Sequence, residues 1–200
     1  TLFPLAQSRD PPLEDNLLSI EDIDFEFENT PVKVVAIRSH PEVKVAGETI
    51  GPLEEGREFQ VKYWIARELV KSGIARFHDE DRMDLIGLHK LYWRETVQTG
   101  RQLSPLPDNF YPKLRRFIME LKEKSTSDQA KAQEYDKVLR LAQDIVSCRL
   151  KKIISLAAGP AQTDNVLGSL SQEERLVYNY VYNFASKWRS KVLKFEGVSK

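Results

Sequence analysis

The longest helical pattern in the chain, from about residue 128 to residue 158, constrains the fold more than any other feature. Apolar side chains recur there at alternating spacings of four and three residues, which is the period of one helix face. A second apolar line runs beside the first, so the predicted buried face is wide. The two lines are Tyr135, Leu139, Ala142, Val146, Ile153 and Leu156, and Val138, Leu141, Ile145 and Cys148. A helix with so wide an apolar face must be surrounded by other helices, so the sequence predicts a helical bundle.

One charged residue, Arg149, lies on this apolar seam between Val146 and Ile153. A charge in a buried seam is costly unless an opposite charge accompanies it. Two interpretations stay open at this point. Arg149 either forms an ion pair inside the bundle or contacts a partner protein.

The last helix of the predicted bundle begins with a recognisable signal. Ser171 followed three residues later by Glu174 is a capping-box pattern, in which each residue satisfies a backbone N–H at the helix start. We expect this helix to bury Val177, Val181, Phe184 and Trp188. The same periodicity places Tyr178 and Tyr182 beside that line, where they cover either a second helix or a partner subunit.

The N-terminal part of the chain follows a different period. Residues 32–37 are rich in β-branched side chains, and residues 43–46 alternate apolar and polar ones, which is typical of strands. Gly and Pro residues between positions 41 and 56 predict turns. A short helix over about 61–72, ended by Gly73, precedes a predicted strand over 74–77. These elements indicate a small β-rich unit with one helix.

The predicted fold class is therefore mainly α with a small α+β part, the small β-rich domain preceding the helical bundle. Residues 13–30 contain seven acidic residues and no basic one, and the segment that begins the chain is expected to be flexible. The predicted divisions are a flexible segment 1–19, a small β-rich domain 20–77, a helical bundle 82–193 and a tail 194–200.

The net charge is zero, but the charges are unevenly distributed. Residues 1–100 contain 19 acidic and 12 basic residues, whereas residues 101–200 contain 11 acidic and 18 basic ones. Such polarity favours a chain whose halves meet different partners. A nucleic-acid-binding module that uses the basic helical half is one function that fits, although a basic face is more often simply solvated.

The sequence contains no arrangement that is typical of an active site. It has no phosphate-binding loop, no nucleophile elbow and no paired metal-binding histidines, and its three histidines are far apart in sequence. The acidic run at 79–81 fits a helix cap better than a cation site. A single cysteine excludes an internal disulfide, and no apolar run reaches membrane-spanning length. We therefore expect a non-enzymatic, intracellular protein with no catalytic residue, cofactor, metal or membrane partner.

Three short motifs carry a resemblance to a known family. The first is Ile-Gly-Pro-Leu at 50–53, followed by Gly56 and by Val-Lys-Tyr-Trp-Ile-Ala at 61–66. The second is Leu-Ser-Pro-Leu-Pro-Asp-Asn-Phe-Tyr at 103–111, and the third is Arg-Leu-Lys-Lys-Ile at 149–153. In their order and spacing these stretches resemble the GINS family. Lys62 departs from the family pattern, because many relatives have proline before the aromatic residue.

The resemblance implies a non-enzymatic scaffold subunit of the GINS complex in DNA replication. It implies the archaeal class in which the small β domain precedes the helical domain, an order that eukaryotic relatives share. Members of this class pair with a second GINS subunit type, typically as a two-plus-two heterotetramer, and join the MCM replicative helicase and a Cdc45 or RecJ-like protein. The implied location is cytoplasmic and chromosome-associated, or nuclear in a eukaryote, and any DNA contact is secondary.

Candidate residues for a subunit interface come from the linker, the long helix and the last helix. The linker is restricted by its prolines, so ordering its apolar side chains against a partner costs little entropy. The same side chains could instead fill the end of the bundle core. The candidates are Leu106, Phe110, Tyr111, Arg149, Lys152, Tyr178 and Tyr182.

Overall fold

The computed structural model of the chain describes residues 14–45, 47–79, 82–97, 102–160 and 167–193, with side chains described from residue 20 onward. Six helices lie in these ranges: α1 (Glu14–Glu28), α2 (Tyr63–Lys71), α3 (Leu85–Val97), α4 (Phe110–Ser125), α5 (Gln129–Ala157) and α6 (Gln172–Val192). The strands are β1 (Pro31–Ala36), β2 (Val43–Val45), β3 (Glu48–Ile50), β4 (Glu58–Lys62) and β5 (Ala75–Phe77). The predicted fold class, mainly α with a small α+β part in the N-terminal half, is confirmed.

The small β unit consists of β1 to β5 and α2. β1 is the central strand of an antiparallel sheet ordered β4-β1-β5, and β2 and β3 form a separate hairpin. Val32 and Val34 alternate along β1 toward one face, where Ile65 and Leu69 of α2 cover them. Gly73 ends α2 with a φ of 67°, a left-handed conformation that glycine adopts without a steric penalty.

The bundle is organised around α5, which packs against α3, α4 and α6. Its capping residue Asp128 accepts hydrogen bonds from the backbone N–H groups of Ala130 and Lys131. An apolar cluster with α3 and α4 surrounds the first half of α5, and a smaller cluster with α6 surrounds its end. The first contains Leu88, Leu91, Phe110, Leu114, Leu121, Val138, Leu141, Ala142 and Ile145, and the second Ile153, Leu156, Ala157, Leu170 and Tyr178.

The buried face of α6 differs from the prediction. The capping box of Ser171 and Glu174 is present, but Phe184 and Trp188, which we expected in the core, are exposed. Tyr178, expected beside the core line, is buried. The helical period locates apolar lines on a helix, whereas the neighbouring helices decide which line they cover. Val146 of α5 is exposed for the same reason.

The acidic N-terminal segment forms a helix where flexibility was expected. α1 begins at Glu14 and therefore crosses the predicted boundary at residue 20, so residues 14–19 are helical. Residues 1–13 of the predicted flexible segment and the predicted tail 194–200 lie outside the described residues. The division into a β-rich domain and a bundle domain stays a prediction, because α1 contacts both α2 and the helices α4 and α6.

Arg116 of α4 anchors α1 to the bundle. Its guanidinium donates to Asp24 at 3.0 Å and to Glu28 at 2.6 Å, and it lies over the rings of Phe27 and Tyr63 at 5.1 and 5.8 Å. Phe27 is buried by the same contacts. The acidic residues of α1 thus find their partners in the sequence-distant α4, which explains why local sequence did not predict an ordered helix.

Asp24→Asn is expected to destabilise the protein near neutral pH but not in acid. Burial raises the pKa of Asp24, but hydrogen bonds and charges from Arg115 and Arg116 outweigh it and lower the pKa overall. The carboxylate therefore contributes stability above its unfolded pKa of about 4, and this contribution is lost as the pH falls through the lower folded value. Urea unfolding should show a difference on the order of 1 kcal/mol at pH 7 that shrinks below about pH 4.

The exposed Asp22, on the same helix, gives the matched control. Asp22→Asn should leave the free energy of unfolding within about 0.5 kcal/mol at both pH values. An Asp24→Asn effect that stays constant from pH 7 to pH 3 would show that the anchoring contact is not electrostatic.

Candidate functional site

Five polar residues form a cluster in the interior of the bundle, which we call the buried polar cluster. It consists of Glu95 of α3, Ser104 of the linker, Arg149 and Lys152 of α5 and Glu174 of α6. Arg149 is 0% exposed, Glu95 1% and Glu174 3%. The cluster lies along α5 between the two apolar clusters, at the point where four segments meet. Two cations and two carboxylates balance its formal charge.

Arg149 connects α5 to α6 through Glu174. Its Nε and Nη2 atoms donate to the two oxygens of Glu174 at 2.5 and 2.9 Å, which is the bidentate geometry that a guanidinium makes with a carboxylate. Tyr111 of α4 donates its hydroxyl to the same carboxylate at 2.7 Å. The backbone N–H of Ser171 also donates to Glu174, at 3.1 Å. One carboxylate therefore serves the helix cap, α4 and α5 together.

Glu95 connects α3 to α5 and to the linker. Its side chain accepts from Arg149 Nη1, from the hydroxyl of Ser104 and, at 3.0 Å, from the Ser104 backbone N–H. Lys152 Nζ donates to a carboxylate oxygen of Glu95 at 2.9 Å and to its backbone carbonyl at 2.8 Å. Arg149 Nη1 donates in addition to the Ser104 carbonyl at 2.8 Å. The charged atoms of the cluster are thus paired, as buried ionic groups require.

The surroundings favour the charged forms of Glu95 and Arg149. Burial raises the pKa of Glu95, but hydrogen bonds from Ser104 and Lys152 and the charge of Arg149 lower it overall. Burial acts to lower the pKa of Arg149, yet the hydrogen bonds and charge of Glu174 raise it above the ordinary value. Burial and the negative charge of Glu174 raise the pKa of Tyr111, so its hydroxyl remains a donor. Glu95 and Arg149 therefore form an ionic junction between α3, α5 and α6.

The cluster decides between the two interpretations of Arg149. Arg149 forms internal ion pairs, and its guanidinium has no surface that a partner could reach. Lys152, also proposed as an interface residue, is buried, and its ammonium group forms an ion pair with Glu95. The prediction that these two side chains contact a sister subunit directly is therefore corrected. They hold helices in position within the bundle.

The remaining candidate interface residues divide into buried and accessible ones. Phe110 and Tyr178 are buried in the two apolar clusters, so they also act from inside. Leu106 and Tyr111 are half-buried against the first cluster, and Tyr182 is half-buried and stacks on Tyr178 with ring centres 5.9 Å apart. A subunit contact of Leu106, Tyr111 or Tyr182 stays a prediction.

A different set of side chains is exposed on α6. Tyr180, Phe184, Trp188 and Val192 follow one another every four residues and are 43%, 65%, 58% and 59% exposed. We call this set the α6 apolar line. Side chains four residues apart lie on the same side of a helix, so the four form one continuous surface. Exposed apolar surfaces of this kind are typical of places where proteins associate.

The comparison with protein families identifies the helical part. The Sld5 family model, described as the GINS complex protein helical bundle domain, matches residues 79–192. The match covers more than half of the chain, from the start of the bundle to the last residue of α6. This chain belongs to the GINS family. A search of the curated proteins found no match.

Membership makes the chain a GINS complex subunit that acts in DNA replication together with other GINS subunits. GINS subunits are known as non-catalytic structural proteins. Within the described ranges, no group of three His, Cys, Asp or Glu side chains is arranged to hold a metal ion. Nor does any helix in the described part of the chain combine the length and apolar character needed to cross a bilayer.

The two carboxylates of the GINS bundle core were missed in the sequence. A buried arginine on the seam of α5 requires acidic partners nearby. This requirement was the signal in the sequence that could have led to the two carboxylates. Glu95 follows Leu88 and Leu91 at helical spacing, which placed it on the buried face of α3. Glu174 had been assigned only to the capping box, which it serves with the same carboxylate.

Proposed function

We propose that this GINS subunit is a non-enzymatic scaffold that docks on a sister subunit through the α6 apolar line. The observation that carries the proposal is the exposure of Phe184 and Trp188 in the second half of a helix whose first half holds the buried Glu174 and Tyr178. The line extends over 12 residues, or about 18 Å of helix. Tryptophan and tyrosine side chains at such positions are typical of the residues that dominate interface energetics.

The buried polar cluster supports this role by fixing the position of α6. Glu174 is bound to Arg149 of α5 and to Tyr111 of α4, so the first turn of α6 is held by two helices. At the other end, Arg189 donates to the carbonyl of Ala158 just after α5. A helix held at both ends needs little ordering when a partner binds, which favours affinity.

The assignment of partners rests on the family resemblance and on the order of the two parts. The small β unit precedes the bundle in this chain, so the proposed sister is a GINS subunit of the opposite order. The proposed assembly contains two copies of each subunit. In this proposal the scaffold joins the MCM replicative helicase and a Cdc45 or RecJ-like protein, and its archaeal or eukaryotic origin does not alter the geometry.

Trp188→Glu is expected to abolish co-purification with a sister subunit while leaving the fold intact. The new charge would have to be buried in the contact, whereas on the free chain the side chain is in water. We expect at least roughly a tenfold loss of affinity, the size typical of a central aromatic contact residue. Pull-down and titration calorimetry with the co-expressed sister measure the effect.

The matched control is Trp93→Glu, because Trp93 of α3 is exposed to a similar extent and lies outside the α6 line. It should retain the affinity of the unmodified chain for the sister. Equal affinity of the Trp188→Glu variant and the unmodified chain would refute the assignment of the interface to α6.

A further inference from the structure

A second exposed surface of different chemistry lies on α3. Ile86, Trp93 and Val97 are 64%, 65% and 55% exposed and occur at helical spacing along about 16 Å of helix. A shallow depression of about 580 Å³ is lined by His89, Lys90, Trp93 and Arg94. Glu95, the one acidic residue in the α3 sequence, is buried, so the outer side of this helix combines an aromatic ring with cations. We call it the basic α3 face.

The complementary surface lies on α1 of the same chain. Phe25 is 71% exposed, and the neighbouring Glu21, Asp22 and Glu26 are exposed on the same side of the helix. α1 contains no basic residue in its sequence. Asp24 is turned toward Arg115 and Arg116 and so belongs to the opposite, docked side. We call the outer side the acidic α1 face.

We propose that the basic α3 face of one copy of this chain binds the acidic α1 face of a second copy. Both faces consist of an exposed aromatic ring flanked by charges, and the charges are of opposite sign. Phe25 and Trp93 are both exposed within one chain, so the two faces do not cover each other internally. The contact therefore forms between copies, and it does not depend on the α6 apolar line or on the proposed sister subunit.

The chemistry favours a protein helix over a nucleic acid on the α3 face. A strand of nucleic acid would require cations along its whole path, because each phosphate carries a charge. The two ends of the α3 face are instead the aliphatic side chains Ile86 and Val97, which pack against apolar groups. Ring-to-ring contact of Trp93 and Phe25, with flanking ion pairs, matches both the charged and the apolar positions.

Every copy carries both faces, so it can pair reciprocally with one neighbour or contact two neighbours head to tail. Sedimentation of the full chain should therefore show a mass that rises with concentration and falls as salt is added, since the flanking charges are screened. The experiment is made on the chain carrying Trp188→Glu, so that the α6 line does not contribute. A negative result would therefore concern the contact between α3 and α1 and not the proposed docking through α6.

Charge exchange tests the pairing directly. Lys90→Glu with Arg94→Glu, and Glu21→Lys with Asp22→Lys, should each weaken self-association more than tenfold, because like charges then face each other. An equimolar mixture of the two variants should regain association, since the exchanged faces match. Lys137→Glu with Arg140→Glu, on the exposed side of α5, reverses the same number of charges and should change nothing.

Unchanged self-association of the Lys90→Glu, Arg94→Glu variant would overturn the proposal. So would a mixture that fails to regain association while both variants melt like the control. Loss of binding to a single-stranded oligonucleotide, with self-association intact, would assign the basic α3 face to nucleic acid instead and equally overturn it.

Discussion

Arg149→Ala is expected to lower the free energy of unfolding by roughly 3–5 kcal/mol, the largest effect of any single side-chain truncation in the bundle. The change leaves Glu95 and Glu174 as buried carboxylates without their shared cation. The cost arises from those two uncompensated charges and not from a large favourable contribution of the ion pairs themselves. Chemical unfolding monitored by circular dichroism measures the effect.

Arg140→Ala is the control on the same helix. Arg140 is exposed, and its guanidinium donates only to the Asp136 carbonyl among the hydrogen bonds seen, at 3.2 Å. Its replacement should cost less than about 0.5 kcal/mol. Adding Glu174→Gln to Arg149→Ala should cost less than the sum of the two single changes, because the carboxylate is no longer stranded. Fully additive effects would contradict the network.

Phe110→Ala is the second large expected effect, on the order of 3–4 kcal/mol. Phe110 begins α4, is buried in the first apolar cluster and contacts the Tyr111 ring edge-on, with ring centres 5.1 Å apart. Truncation leaves a cavity between α3, α4 and α5, and the surrounding helices cannot relax enough to close it fully. Thermal or urea unfolding of the variant measures the loss.

Tyr111→Phe is the neighbouring comparison. It keeps the ring and removes only the hydroxyl that donates to Glu174, so the expected cost is about 1 kcal/mol. Glu174 retains Arg149 and the Ser171 backbone as partners. If Tyr111→Phe destabilised the chain more than Phe110→Ala, burial of Phe110 in the first apolar cluster would not be the larger contribution to stability.

Local sequence patterns predicted the elements whose stability is local. The approximate ends of α5 followed from the extent of the apolar pattern, and the start of α6 followed from the capping box of Ser171 and Glu174. β1, α2 and Gly73 were predicted from periodicity and turn chemistry. In each case the signal lies within a few residues of the feature that it specifies.

Features that depend on distant contacts were not predicted. α1 is held by Arg115 and Arg116, which are about 90 residues away in the sequence. Its own sequence has no basic residue in the last turn, so it lacks a local signal for the end of a helix. Periodicity found the apolar line of Phe184 and Trp188 but could not tell a buried line from an exposed one. That distinction requires the positions of the neighbouring helices.

The buried polar cluster shows the same difference between what local sequence specifies and what distant contacts specify. The sequence placed Arg149 on a buried seam and left its partner open, since an internal ion pair and an intermolecular one give the same local pattern. The three-dimensional structure brings Glu95 and Glu174 to it from segments 54 and 25 residues away. Sequence therefore located the ionic residue, and only the packing of four segments identified its role.

The mass of the chain in solution tests the central claim most directly. Light scattering should be recorded for the chain alone and for the chain co-expressed with a GINS subunit of the opposite domain order. In salt that screens the proposed contact between α3 and α1, we predict one shared species whose mass corresponds to two copies of each subunit, and we expect Trp188→Glu to dissociate it. Two separate species that share no peak at any concentration would contradict the account of this chain as a scaffold that docks through α6.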